Sequence, residues 1–183
     1  MTAQAKSKGK VNVKDMVFTA LCIAMCVVLP MAFHMVPNGG SVFCPMHIPV
    51  LFCGLVCGWQ YGLLCGVVGP LLSSLLTGMP PAAILPSMMI ELAVYGLVAS
   101  LMMRFVRTKN LYADIYISLV TAMLIGRAAS IFVKALFFAK GTPMSALLTA
   151  SFVTCLPGIA VHLVVIPLIL IALEKAKVID KRY

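Results

Sequence analysis

Charge is what this sequence has least of. Only 10% of its 183 residues are Asp, Glu, Lys or Arg, and 62% are hydrophobic, whereas a soluble domain is roughly 25% charged. That shortage excludes a soluble globular protein and implies an integral membrane protein with little mass outside the bilayer. Carboxylates are scarcer still, five in all, and Glu91 alone falls inside an apolar run. Paired-acid chemistry on a metal–diphosphate therefore lacks its second member, and a membrane enzyme is not expected. No G-x-x-x-x-G-K-[ST] loop is present, so the chain does not hydrolyse ATP by a P-loop. Its seven cysteines include no C-x-x-C pair and no zinc-type spacing. Three histidines and thirteen methionines form no tight ligand cluster, and methionine is ordinary apolar filler. Neither a metal nor a cofactor is expected, with haem- or metal-binding uptake kept as a lesser alternative. No basic face or aromatic–basic module accompanies the positive charge, so nucleic acid is not an expected partner. Repeated halves, direct or inverted, are missing, as is a polar stripe through every span. Both absences argue against the other alternative, a stand-alone carrier or channel.

The net charge of +9 is informative in its placement. Lys6, Lys8, Lys10 and Lys14 precede the first apolar run; Arg104, Arg107 and Lys109 sit in a central loop; Lys175, Lys177, Lys181 and Arg182 close the chain. They share one side if the chain crosses an even number of times, and the positive-inside rule puts both termini in the cytoplasm. No cleavable signal peptide is expected, since the polar, basic start runs through Lys14 into an apolar run long enough to span. Six spans are predicted, at 15–35, 47–58 (short), 62–77, 82–105, 112–139 and 156–173. The fold class is thus all-α, a compact bundle of six transmembrane helices. Residues 1–183 form one membrane domain, with basic cytoplasmic tails at 1–14 and 174–183. A loop is predicted at 36–46, a tight aromatic turn at Trp59-Gln60-Tyr61, and a break at Gly78-Met79-Pro80-Pro81. The stretch 143–173 exceeds the ~20 residues of one span. Pro157-Gly158 is expected to divide it, leaving 144–155 as a short outer segment.

Three charges stand inside this apolar frame: Glu91, Arg127 and Lys134, with His162 nearby. A charge at membrane depth is costly and usually faces the bundle interior or a water-filled cavity with a partner. In this topology Glu91 and Lys134 fall in the outer half of the membrane and Arg127 near its middle, so that with His162 they can line one cavity in the outer half of the bundle. Two readings stay open. Glu91 and Arg127 form a structural ion pair between helices, or Arg127 or Lys134 contacts an anionic or carbonyl group of a ligand beside Glu91 and His162. Lys134 also has the option of snorkelling outward. Tyr95, one turn beyond Glu91, is a candidate stacking or hydrogen-bonding residue. His34 and His47 flank the 36–46 loop, whose Asn38, Ser41, Gly39 and Gly40 make it a candidate lid; for His47 the bland reading is a helix cap. Ser73, Ser74 and Thr77 read as bonding to their own helix backbone, with ligand donation as the alternative. Most cysteines read as small buried hydrophobes; Cys44 and Cys155 fall near the outer face, where a disulfide between them is left open. Gly54, Gly58, Gly62 and Gly66 recur four apart, spacing that lets helices approach closely in lipid.

The combination of Ala20-Leu21-Cys22-Ile23-Ala24, Pro45-Met46-His47-Ile48-Pro49, Gly58-Trp59-Gln60-Tyr61-Gly62 and Gly69-Pro70-Leu71-Leu72-Ser73-Ser74 in a basic six-span frame resembles one family. It is similar to the substrate-binding S component of an energy-coupling factor (ECF) transporter. The resemblance covers residues 14–175, approximately. It implies a membrane protein that captures a vitamin or other micronutrient outside the cell. A transmembrane coupling subunit and two cytoplasmic ATPases would serve it, and ATP hydrolysis would topple it to release substrate inside. The A-x-x-x-A stripe would dock the coupling subunit, a role that falls here on Ala20 and Ala24. The pocket would be built from the loop after span one and from spans four to six, giving Glu91, Tyr95, Arg127, Lys134, His162, Asn38 and His47 as candidate substrate contacts. The cations lean towards an acidic or electron-rich ligand such as pantothenate; an aromatic vitamin, a cobalamin precursor or haem also suits an apolar, Met-rich pocket.

Overall fold

The computed structural model describes residues 13–33, 39–108, 110–138 and 143–179, and among these no strand occurs. Eight α-helices follow in order: α1 Val13–Phe33, α2 Gly39–Phe43, α3 His47–Cys57, α4 Trp59–Thr77, α5 Leu85–Phe105, α6 Leu111–Val133, α7 Met144–Leu148 and α8 Leu156–Lys175. π-Helical turns at Lys134–Phe138 and Thr149–Val153 follow α6 and α7. Among the described residues five helical segments are long and apolar enough to cross a membrane, and α3 is a shorter apolar helix.

The helix ends follow local chemistry. Gly58 separates α3 from α4 at φ 104°, in the left-handed half of the map that favours glycine. Trp59, Gln60 and Tyr61 are therefore the first turn of α4 rather than the predicted tight turn, because one glycine suffices to redirect the chain. Gly78 ends α4 at φ 72° and its N–H bonds the Ser74 carbonyl, a left-handed C-cap. Residues 82–84 form a turn before α5, whose start carries Pro86, a position where a missing N–H costs nothing. At the start of α6 the buried Asp114 accepts from the Thr108 backbone N–H at 2.9 Å and from its hydroxyl, pinning the loop from α5. The predicted division at Pro157-Gly158 is displaced: the break is the turn at 154–155, Pro157 lies in the first turn of α8, and Gly158 is helical. The predicted 36–46 loop contains α2; residues 34–38, and so His34 and Asn38, lie outside the described residues.

α3 is buried along nearly its whole length and packs against α1, α4, α5 and α8. Glycine allows this. A methyl group added at Gly54 would lie 2.5 Å from the Gly96 carbonyl oxygen, and one at Gly62 would lie 2.7 Å from the same atom. α3, α4 and α5 thus touch backbone to backbone, as small residues permit where packing rather than hydrophobicity drives helix association. Cys22, Cys26, Cys53, Cys57 and Cys65 fill the seam of α1, α3 and α4 as buried thiols. Thr19 bonds the Asp15 carbonyl at 2.7 Å, and its Oγ1 lies 3.6 Å from the Cys53 sulfur. Among the described residues no three of His, Cys, Asp and Glu are grouped so as to hold a metal ion.

Candidate functional site

Polar side chains gather where α3 begins, near the N-termini of α5 and α8 and towards the C-terminus of α6. His47, the first residue of α3, is buried, as are Glu91 and Tyr95 on α5, Arg127 and Ser130 on α6, and His162 on α8. One turn of α5 separates Glu91 from Tyr95, so the Tyr95 hydroxyl donates to Glu91 Oε1 at 3.1 Å. His47 Nε2 lies 3.6 Å from the same oxygen. The His47 ring meets Tyr95 edge-on at 5.1 Å and stacks on His162 at 5.8 Å. His47 thus faces the cluster rather than capping α3. Gly126 is the reason the Tyr95 ring fits: a methyl group there would collide with its Cδ1 and Cε1.

The α2–α3 corner closes one side. His162 Nε2 lies 3.2 Å from the Cys44 carbonyl oxygen, which accepts only, so Nε2 carries the proton. A methyl group at Gly158 would lie 2.7 Å from the Val42 carbonyl, and Phe43 meets Phe33 at 5.4 Å, so α2 is held between α8 and the end of α1. The Cys44 and Cys155 sulfurs are 3.5 Å apart, in contact as thiols. The 149–153 turn covers Arg127. Its Nη1 donates to the Ser151 carbonyl, and its guanidinium carbon lies 5.9 Å from the Phe152 ring centroid.

Glu91 and Arg127 form no ion pair within 4.0 Å among the described residues. Glu91 is engaged by Tyr95 and His47, and Arg127 by the Ser151 carbonyl. Several buried polar atoms in the cluster have no hydrogen-bond partner: Nδ1 of His47, Nε and Nη2 of Arg127, Oγ of Ser130 and Nδ1 of His162. Such atoms are rare in folded proteins because each forfeits its hydration without replacement. They come from α3, α6 and α8 and lie at one end of the bundle.

The sequence matches the family model described as ECF transporter, substrate-specific component, over residues 14–170. The chain belongs to this family. A search of the curated proteins found no match. As an S component the chain is a substrate-binding subunit of a membrane transporter and not an enzyme. Family membership implies association with a membrane coupling subunit and ATPases.

The S component brings Glu91, Tyr95, Arg127, His47 and His162 together, with Lys134 half-buried two turns beyond Arg127. Asn38 and the Ser41 side chain lie outside what is described. Ser73 and Ser74 donate to the carbonyls of Met79 and Pro80 at 2.8 and 2.9 Å, and Thr77 donates to the Ser73 carbonyl at 2.7 Å. The two serines therefore fasten the turn after α4, where their own helix backbone was the expected acceptor. Ala20 and Ala24 are exposed on α1, opposite its buried Asp15, Thr19, Cys22 and Cys26. Sequence reasoning missed Ser130, although its place three residues after Arg127 puts both on one helix stripe. Gly126, the Cys44 carbonyl, Ser151 and Phe152 were also missed, and backbone and loop contacts of that kind leave no residue-type signal. Tyr95→Phe removes a hydrogen bond to a buried carboxylate. It is expected to lower stability by about 1.5–3 kcal/mol, read as a lower midpoint of thermal unfolding in detergent.

Proposed function

We propose that this S component is the high-affinity capture subunit of an ECF-type importer for a vitamin or related micronutrient, energised by two separate cytoplasmic ATPases through the coupling subunit. In this reading the chain is one membrane domain, residues 1–183, crossing the bacterial plasma membrane six times. The basic tails 1–14 and 174–183 both lie in the cytoplasm, in accord with the positive-inside rule. The cluster then faces outward, and Glu91, Tyr95, Arg127, Lys134, His47 and His162 contact the substrate, as does Asn38. The observation that carries the reading is the convergence of buried, partly unpartnered polar side chains from α3, α5, α6 and α8 in a chain of this family. Ala20 and Ala24 form the docking stripe for the coupling subunit.

Co-expression with the coupling subunit and both ATPases, followed by purification through a tag on this chain, is expected to recover all four proteins. Proteoliposomes holding that complex should accumulate the micronutrient only with ATP. Accumulation by this chain alone would replace the reading with a stand-alone carrier.

A further inference from the structure

We propose that the micronutrient carries a monoanionic carboxylate, held side-on by the Nε–Nη2 edge of Arg127, and beside it a hydroxyl or amide N–H that donates to Nδ1 of His162. This rests on the capture site proposed above and names the chemistry it selects. Arg127 is 2% exposed, and its Nη1 is already engaged by the Ser151 carbonyl. The two nitrogens without partners, Nε and Nη2, lie on one edge of the guanidinium. That edge presents two parallel N–H donors, the arrangement that meets both oxygens of a carboxylate.

Charge leads to the same group. Arg127 is a buried cation, and the cluster's buried carboxylate, Glu91, is taken up by Tyr95 and His47. No carboxylate lies within 4.0 Å of Arg127 among the described residues. A buried charge without a counter-ion is strongly unfavourable, and one singly charged anion restores the balance. The histidines then define what sits beside that anion. His162 is wholly buried and gives its Nε2 proton to the Cys44 carbonyl, so in the neutral ring Nδ1 is a buried lone pair without a partner. Nδ1 of His47 is likewise without a partner. Such a lone pair repels an oxygen that carries no proton and attracts an O–H or N–H, so the group beside the carboxylate is a donor. The Ser130 hydroxyl, also unpartnered, can serve either group.

The test is thermal unfolding of the detergent-purified S component with three additives: a pooled library of hydroxy- and amido-monocarboxylic acids, the matching primary carboxamides, and inorganic phosphate. The acids are expected to raise the unfolding midpoint, and the carboxamides and phosphate to leave it unchanged. Acids without a further O–H or N–H should bind about tenfold more weakly. Arg127→Gln should abolish the rise. Arg127→Lys, which keeps the charge but loses the two-donor edge, should weaken apparent affinity roughly 10- to 100-fold. If Arg127→Gln does not fold, the Arg127→Lys protein and the wild-type acid-against-amide comparison decide. A rise with the carboxamides equal to that with the acids, or one that survives both Arg127 substitutions, overturns the carboxylate and leaves the capture site standing. A rise with phosphate as large as with the acids overturns the selectivity. No rise with any additive overturns the carboxylate, and ATP-dependent accumulation by the assembled complex then decides the capture site.

Discussion

Tryptophan in place of Ala20 or Ala24 is expected to reduce ATP-dependent uptake to background while the solitary S component still binds its substrate. The two effects separate because the two faces of α1 do. Asp15, Thr19, Cys22 and Cys26 bury one face against α3 and α4, and Ala20 and Ala24 are exposed on the other. Exposed neighbours Val17, Leu21 and Val28 make that outer face apolar. Two small residues four apart let a second helix approach to backbone contact. An indole ring there holds the helices apart, and a loss of about 3 kcal/mol in docking is already over a hundredfold in affinity. Substrate binding by the purified chain and uptake by the assembled complex are the paired measurements. Normal uptake by both variants would remove the docking role from this stripe. Lost binding would mean instead that the outer face of α1 supports the pocket.

Valine at Gly96 is expected to abolish the folded protein. A methyl group at this position collides with the Gly62 backbone, and the same stretch of α5 receives Gly54 of α3. No rotamer change relieves a clash with backbone, so α4 and α5 must separate. Overpacking usually costs about 1–3 kcal/mol, and a backbone clash belongs at or above the top of that range. Monodispersity on size exclusion and the unfolding midpoint report the outcome. Gly40→Ala is the control: nothing lies within 4 Å of the added methyl, so stability should hold. A monodisperse Gly96→Val protein with an unchanged midpoint would mean that the α4–α5 contact is looser than described.

The helices were legible because lipid imposes a simple rule. Each spanning segment must satisfy its backbone internally and present apolar side chains outward. The predicted spans at 15–35, 47–58 and 156–173 accordingly lie within a few residues of α1, α3 and α8. Less legible was where the chain turns. Gly58, one of four evenly spaced glycines, breaks the helix, whereas Gly158 beside Pro157 continues one, because its missing side chain makes room for the α2 carbonyls. A glycine required by a neighbouring element reads the same as a glycine required by a turn.

The charged residues follow the same division. By itself the sequence determined that Glu91, Arg127 and Lys134 lie among apolar residues, and that Tyr95 follows Glu91 by one turn, since hydropathy and helical period are local properties. Tertiary structure alone decided the pairing. It gave Glu91 to Tyr95 and His47, turned Arg127 to a backbone carbonyl, and left the Nε–Nη2 edge without a protein partner. The physical reason is distance. Which groups meet across α3, α5, α6 and α8 depends on how closely those helices approach, and glycines at 54, 62, 96 and 126 set that approach far from the charges themselves in sequence.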